Sequence, residues 1–290
     1  MRRLATLTLA AVLPALLASG GQASAAAAPA ANAPAPPTCT PSGYAPPVYG
    51  IFGGNGDNFN SAYEIASPCT PRKIRDASQA IGMGRNVPLG LKNVSTATFT
   101  AEGSYMGQPS TVRAELDYTV DGIRFWVFGK PAQVLADGAV WNEATPGEGA
   151  TAAPAASAPE LQALMKLTPY GAMWSVIEAE GHAVVTDLPG GKARVTGTSP
   201  YDKIPVTMVL GTNNMPESVE FTHGGHKYTG QFSDYQDKWD TGYSGSYLVF
   251  FPSRMVWTRD GRPLADLTTT EAKANPYVVF PRPSVAVAAR

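Results

Sequence analysis

The chain has 290 residues, with 22 Lys plus Arg against 23 Asp plus Glu, and this formal charge of −1 excludes both a strongly basic nucleic-acid binder and a polyanionic tail. Hydrophobic residues reach 44%, enough for a packed core, while only 16% are charged. Because 29 Gly and 26 Pro interrupt long helices, the composition favours a turn-rich, mainly β protein.

Arg2 and Arg3 precede an apolar stretch from Leu4 to Leu17, and Ala23-Ser24-Ala25 supplies small residues at the spacing a signal peptidase accepts. Residues 1–25 therefore read as a secretory signal, with an uncleaved N-terminal anchor as the alternative. The run contains Pro14 and falls short of the roughly 20 residues a membrane-spanning helix needs. The expectation is a soluble exported protein, periplasmic or extracellular, with no transmembrane segment once the signal is removed. Losing Arg2 and Arg3 leaves 20 basic against 23 acidic groups, a charge of −3 that gives no electrostatic reason to seek DNA or anionic membranes.

Residues 26–68 read as an extension or linker. Ala26 to Pro37 is Ala and Pro apart from Asn32, and Thr38 to Pro68 is rich in Gly, Pro, Asn and Tyr. Cys39 and Cys69 are the only cysteines, and in an oxidising compartment they read as a disulfide rather than a metal pair. Closing that loop would contribute roughly 3 kcal/mol in the chain-entropy model. Thr38 before Cys39 does not fit a lipid-attachment motif.

A single folded domain is expected over residues 69–281, followed by a tail over 282–290. Thr70-Pro71 predicts a capped helix with Ile74, Ala77 and Ile81 on one face and Gly82 and Gly84 at its end. Phe99 lies in an alternating run from Thr96 to Ala101. Val112, Ala114, Leu116, Tyr118 and Val120 alternate with polar residues in the period-two pattern of a half-buried strand. Asp121-Gly122 predicts a hairpin into a strand from Ile123 to Phe128 that carries Phe125 and Val127.

Ala144 to Pro159 reads as a low-complexity insert. After it, Ser157 and Glu160 predict a capping box opening a helix through Leu161, Leu164, Met165 and Leu167. Thr168-Pro169 should break that helix before a turn containing Met173 and Trp174. From Gly181 onward Gly190-Gly191, Ser199-Pro200, Asn213-Asn214, Gly224-Gly225 and Asp260-Gly261 punctuate further strands, which carry Met208, Leu210, Phe221 and Phe232. The fold class is α+β, mainly β. Its single curved antiparallel sheet is an incomplete barrel, with an N-terminal helix and a helical insert over the concave face. The strand residues Phe99, Leu116, Tyr118, Phe125, Val127, Met208, Leu210, Phe221 and Phe232 face the insert residues Leu164, Met165, Met173 and Trp174 in this arrangement. That mixture suits an adaptable apolar pocket, the alternative being a solid core.

Polar candidates are sparse. His223-Gly224-Gly225-His226 would set two imidazoles across a hairpin, but His182 does not complete a zinc set, so no metal is assigned. Gly53 to Asn58 occurs once and lacks a phosphate-loop lysine, and Gly242-Tyr243-Ser244-Gly245-Ser246 lacks the last glycine of a nucleophile elbow. Asp234, Asp237 and Asp240 with Tyr235, Lys238 and Trp239 read as a polar loop, and Asn93-Val94-Ser95 matches a glycosylation sequon. No catalytic residue and no cofactor is assigned.

Ala80-Ile81-Gly82-Met83 before the meander and the insert from Leu164 to Pro169 resemble periplasmic lipoprotein carriers and lipid-binding half-barrels of the LolA and LolB type. So does the closing run Phe251-Pro252, Asp260-Gly261, Leu264 to Thr270, Asn275 and Phe280-Pro281. The resemblance implies an incomplete barrel, a helical lid and a cavity for acyl chains. It also implies a sheet arginine that holds the lid, a place open to Arg113 or Arg124. The insert from Ala144 to Ala158, the disulfide and the long extension depart from the carrier pattern and favour a relative that binds some other apolar molecule. The expected function is non-enzymatic binding of a lipid, acyl chain or other apolar molecule. An envelope or extracellular interaction module with a protein partner is the alternative, and an enzyme comes third.

Overall fold

The alternation over residues 111–117 forms strand β2 (Gln108–Asp117), which pairs antiparallel with β1 (Thr96–Tyr105) and β3 (Gly122–Val127), while Tyr118 to Val120, expected to continue the strand, lie in the turn before β3. The register sets Ala97, Phe99 and Ala101 opposite Leu116, Ala114 and Val112, and these in turn opposite Ile123, Phe125 and Val127. Over these positions one face of the three strands is apolar, because successive side chains alternate across the pleat. The computed structural model describes residues 69–83, 94–237 and 249–288.

On one side the sheet continues through β4 (Ala132–Ala136) and β5 (Ala139–Thr145), whose outer edge pairs with β6 (Glu148–Ala152) and β14 (Val287–Ala288). On the other side β1 pairs with β13 (Arg262–Ala274). The order then runs back through β12 (Phe250–Arg259), β11 (His226–Asp237), β10 (Pro216–His223), β9 (Pro205–Leu210), β8 (Ala193–Thr198) and β7 (Val184–Asp187). Among the described residues this is one curved, antiparallel, 14-stranded sheet whose ends do not meet.

The turn signals act as expected at Asp121, Gly224-Gly225 and Asp260-Gly261, all of which adopt positive φ. The stretch Ala144 to Pro159, read as a low-complexity insert, holds a hairpin. Thr145 pairs with Glu148 around Pro146-Gly147, and Gly147 supplies the φ of +84° that the turn requires. Asp234 and Asp237 lie on β11 rather than in a loop, and Asp234 takes a φ of +57° between Ser233, paired with Arg254, and Tyr235, paired with Pro252, without shifting the register. Residues 287–288 of the expected tail form β14.

Among the described residues three α-helices accompany the sheet. Helix α1 (Arg72–Ala80) buries Ile74, Ala77 and Ile81 as its spacing predicts, and Gly82 ends it at φ +92°. Its cap differs from expectation: Pro71 occupies the capping position and no side chain accepts from the first turn. Helix α2 (Ala158–Lys166) also lacks the expected capping box. Ser157 already has helical backbone angles, and its hydroxyl donates to the Pro154 carbonyl at 2.7 Å. Thr168-Pro169 does not merely end α2. Thr168 is extended and its Oγ1 accepts from the Gly171 amide at 3.1 Å, so with Pro169 at the first helical position it starts a full helix α3 (Pro169–Glu178). No helix among the described residues is long and apolar enough to cross a membrane.

The inner face of the sheet, which carries α2 and α3, belongs to one large apolar cluster that spans both halves of the sheet. The outer face of β4 and β5 forms a second cluster of Val134, Ala136, Ala139 and Trp141, covered by Phe280 and Ala286 from the segment leading to β14.

Candidate apolar ligand site

Helix α3 is apolar on all sides, and every residue from Pro169 to Ile177 is buried, as such a helix requires. It packs against β8, β9 and β10 on one side and against α1 and α2 on the other. Two glycines permit this approach. A Cβ on Gly197 would lie 2.9 Å from the Ala179 Cβ, and one on Gly171 would lie 2.2 Å from the Met165 carbonyl oxygen.

The predicted ligand residues converge on the inner face. Phe99, Leu116, Phe125, Met208, Leu210, Phe221 and Phe232 from the strands and Tyr118 from the turn after β2 are buried in one cluster with Leu164, Met165, Met173 and Trp174 from the helices, and half-buried Val127 packs against it. Aromatic rings link the layers: Trp174 stacks on Tyr118 at 6.1 Å between centroids, Tyr170 lies 6.0 Å from Phe251, and Phe251 lies 5.5 Å from Phe99. Tyr170, Phe251, Met255 and Trp257 join this surface without having been predicted from sequence as ligand residues. The alternation of Met255 and Trp257 with Arg254 and Val256 was a readable signal for the last two.

Side-chain hydrogen bonds and ion pairs attach the helices to the sheet. The Tyr118 hydroxyl lies 3.1 Å from Thr168 Oγ1, Trp174 Nε1 donates to the Val94 carbonyl at 2.9 Å, and the Tyr170 hydroxyl donates to the Phe250 carbonyl at 2.5 Å. Ser199 donates to Glu178, and Lys166 pairs with Asp202. Burial would lower the Lys166 ammonium pKa, but the carboxylates of Asp202, Asp121 and Glu178 outweigh it and raise it. Burial pushes the Asp121 carboxyl up to about 6, with Lys166 opposing and Asp202, Glu178 and Asp117 reinforcing the shift. Burial likewise raises the Tyr118 phenol.

Neither candidate arginine holds the helices. Arg124 lies on the outer face, where its Nε donates to Glu143 at 2.7 Å, its Nη1 to Glu115 at 2.5 Å and its Nη2 to the Val279 carbonyl at 3.3 Å. Arg113, two pleats away on the same face, covers the Trp126 ring at 5.5 Å. The period of two along the strands sends both away from the inner face; Lys166 on α2, paired with Asp202, and Arg259 on β12, paired with Glu160 of α2, supply the cations that tie the insert down.

His223 and His226 face each other in register, yet His223 Nε2 lies 2.8 Å from Gln162 Oε1 and His226 Nδ1 lies 2.6 Å from Asp260 Oδ2. Among the described residues no group of three or more His, Cys, Asp or Glu is placed to hold a metal. An open polar depression of about 840 Å³ on the outer face is bordered by Lys192, Glu217, Gln231, Asp234 and Arg254, and by Phe232. Cys39, Gly53 to Asn58, Asn93, Lys238 to Asp240 and Gly242 to Ser246 lie outside the described residues.

No protein-family model matches the chain, and no curated protein matches it. Among solved structures, the chain is similar to a LolA superfamily protein from Nitrosomonas europaea at 10% identity and a TM-score of 0.40, covering 72% of this chain and 94% of that one. It is also similar to an uncharacterized conserved protein from Thermus thermophilus at 13% identity and a TM-score of 0.26, covering 71% of this chain and 95% of that one.

Proposed function

We propose that the protein is a non-enzymatic, exported binder of a lipid, acyl chain or other apolar molecule, held between the inner face of the sheet and the α2–α3 insert. The observation that carries this reading is the continuous apolar surface shared by an open sheet and two short helices, which are tied to it by a small set of polar side chains. In this reading α2 and α3 occupy the ligand's place when no ligand is bound, and the ligand displaces them. Each methylene transferred from water contributes about 0.8 kcal/mol, so a long acyl chain can offset the opening of the insert. Met165, Met173, Met208 and Met255 supply unbranched, polarizable side chains that adapt to a chain of varying shape.

Native mass spectrometry of detergent-free mature protein, before and after organic extraction, tests the proposal, together with titration of a fluorescent fatty acid. A removable adduct or saturable binding supports it, and the absence of both overturns it. Export and the Cys39–Cys69 crosslink are tested by the secreted protein's intact mass with and without reductant and by its N-terminal peptide. Cleavage after Ala25 and a 2 Da gain on reduction are expected. The close packing of Tyr118, Tyr170, Trp174 and Phe251 favours a second reading, an envelope interaction module with a filled core. A chain that binds no apolar probe but retains a protein partner would establish that one.

A further inference from the structure

Trp257 stands apart from the other buried polar aromatics of the inner face. Trp174 donates to the Val94 carbonyl, Tyr118 bonds to Thr168, and Tyr170 donates to the Phe250 carbonyl. On the outer face the Trp141 indole donates to Glu143 at 2.8 Å. The Trp257 side chain is also fully buried, at 0% exposure, but its Nε1 has no hydrogen-bond partner among the described residues. A donor removed from water without an acceptor is destabilising, and such groups are rare in folded proteins.

Its surroundings suggest what the donor serves. Trp257 lies on the inner face of β12, directly opposite Gly230 on β11 and Ala265 on β13, so the smallest side chains flank the indole on both neighbouring strands. Leu167, just after α2, reaches down onto this place, its Cδ2 lying 3.2 Å from where a Gly230 Cβ would be. Two residues further along β12, Arg259 pairs with Glu160 of α2 at 3.5 Å, both partly exposed, and forms a polar rim. In the opposite direction the strand leads through Met255 to Phe251, deep in the apolar cluster.

We propose that the Trp257 indole N–H is the polar contact of the apolar site. The ligand then carries a hydrogen-bond-accepting oxygen, a carboxylate or an ester carbonyl, at the end of its chain nearer Arg259, and its hydrocarbon runs toward Met255 and Phe251. This inference rests on the apolar-binding reading above and adds the chemistry and direction of the ligand.

The test compares dodecanoate, its methyl ester and dodecane, each displacing a fluorescent apolar probe from the full mature protein and from Trp257→Phe. Phenylalanine keeps an aromatic ring and removes the donor. The expected result is a loss of about threefold to tenfold in affinity for the acid and the ester, with dodecane within about twofold of the wild type. An equal change for all three, or none for any, overturns the assignment. Independently of the variant, the ¹⁵N-labelled indole resonance of Trp257 in the wild type should move downfield with dodecanoate and the ester but not with dodecane. A resonance that responds alike to all three rejects the contact while leaving apolar binding intact. If the wild type binds none of the three, the underlying reading fails and this inference falls with it.

Discussion

Lys166, the last residue of α2, pairs with Asp202 in the turn between β8 and β9, and both side chains are almost inaccessible, at 5% and 4% exposure. An ion pair at such depth contributes little relative to an apolar pair of the same shape, but removing one partner strands the other charge. Lys166→Met should therefore cost about 3–5 kcal/mol by denaturant unfolding. The double variant Lys166→Met with Asp202→Leu should recover a large part of that loss. A double variant as unstable as the sum of the singles would contradict the pairing.

Asp121 gives the same cluster a pH dependence. Its folded carboxyl is raised above the ordinary 3.8 to about 6 by burial, so the folded state holds this proton more tightly than the unfolded chain does. The contribution to stability is present at low pH and is lost as pH rises from about 4 through 6. The groups around it are Lys166, which opposes the shift, and Asp202, Glu178 and Asp117, which reinforce it. Asp121→Asn removes the charge and keeps a side chain that tolerates the φ of +49° there. It should be more stable than the wild type by about 1–3 kcal/mol at pH 7.5 and nearly equal to it at pH 4. Urea midpoints at the two pH values check the sign.

Gly171 tests the attachment of α3. A methyl group there would meet the Met165 carbonyl at 2.2 Å, and backbone cannot turn aside as a long side chain can. Gly171→Ala should lower stability by about 2 kcal/mol or more. Hydrogen exchange should rise first in α2 and α3, while β12 and β13 stay protected. Uniform loss of protection would show that the insert and the sheet open together.

Arg124 tests the outer face. Its guanidinium joins Glu115, Glu143 and the Val279 carbonyl and covers the Phe280 ring at 5.3 Å. Burial alone would raise the Glu143 carboxyl, but hydrogen bonds from Arg124, the Gly147 amide and the Trp141 indole outweigh it and hold it below the ordinary range. Glu143 thus contributes stability above the unfolded pKa that is lost as pH falls through the folded one. Arg124→Lys keeps one charge but loses the planar fork and should cost about 1–3 kcal/mol. Proteolysis should become faster in residues 276–288, and an unchanged cleavage pattern would count against the clamp.

The sheet was legible where local chemistry decides it. Val112 and Leu116 announced a strand through alternation, and Asp260-Gly261 announced a hairpin through positive φ. The apolar face was legible for the same reason, since one correct register carries Phe99, Ala114 and Phe125 together. Composition misled at Thr145 to Ala152, where a hairpin of small residues is set by pairing to Trp141 and Glu143 rather than by its own propensity. Lys166 gave no signal because its partner Asp202 lies 36 positions on, in a turn whose placement only the assembled sheet defines. The unpaired donor of Trp257 was equally hidden, being defined by what surrounds it in three dimensions.

The bond from Arg124 to Val279 spans 155 positions of sequence. Strands β3, β4 and β5 can form early as local hairpins, with Ala150 of β6 against their outer face, but the rest of that face has no cover until the chain carrying Phe280 and Ala286 arrives. During vectorial synthesis, that half of the sheet waits with its outer cluster only partly covered while ten further strands or helices are still being made. Such a long wait for a non-local contact slows folding and leaves a sticky intermediate. The protein therefore has a reason to be met by a holding chaperone while it folds.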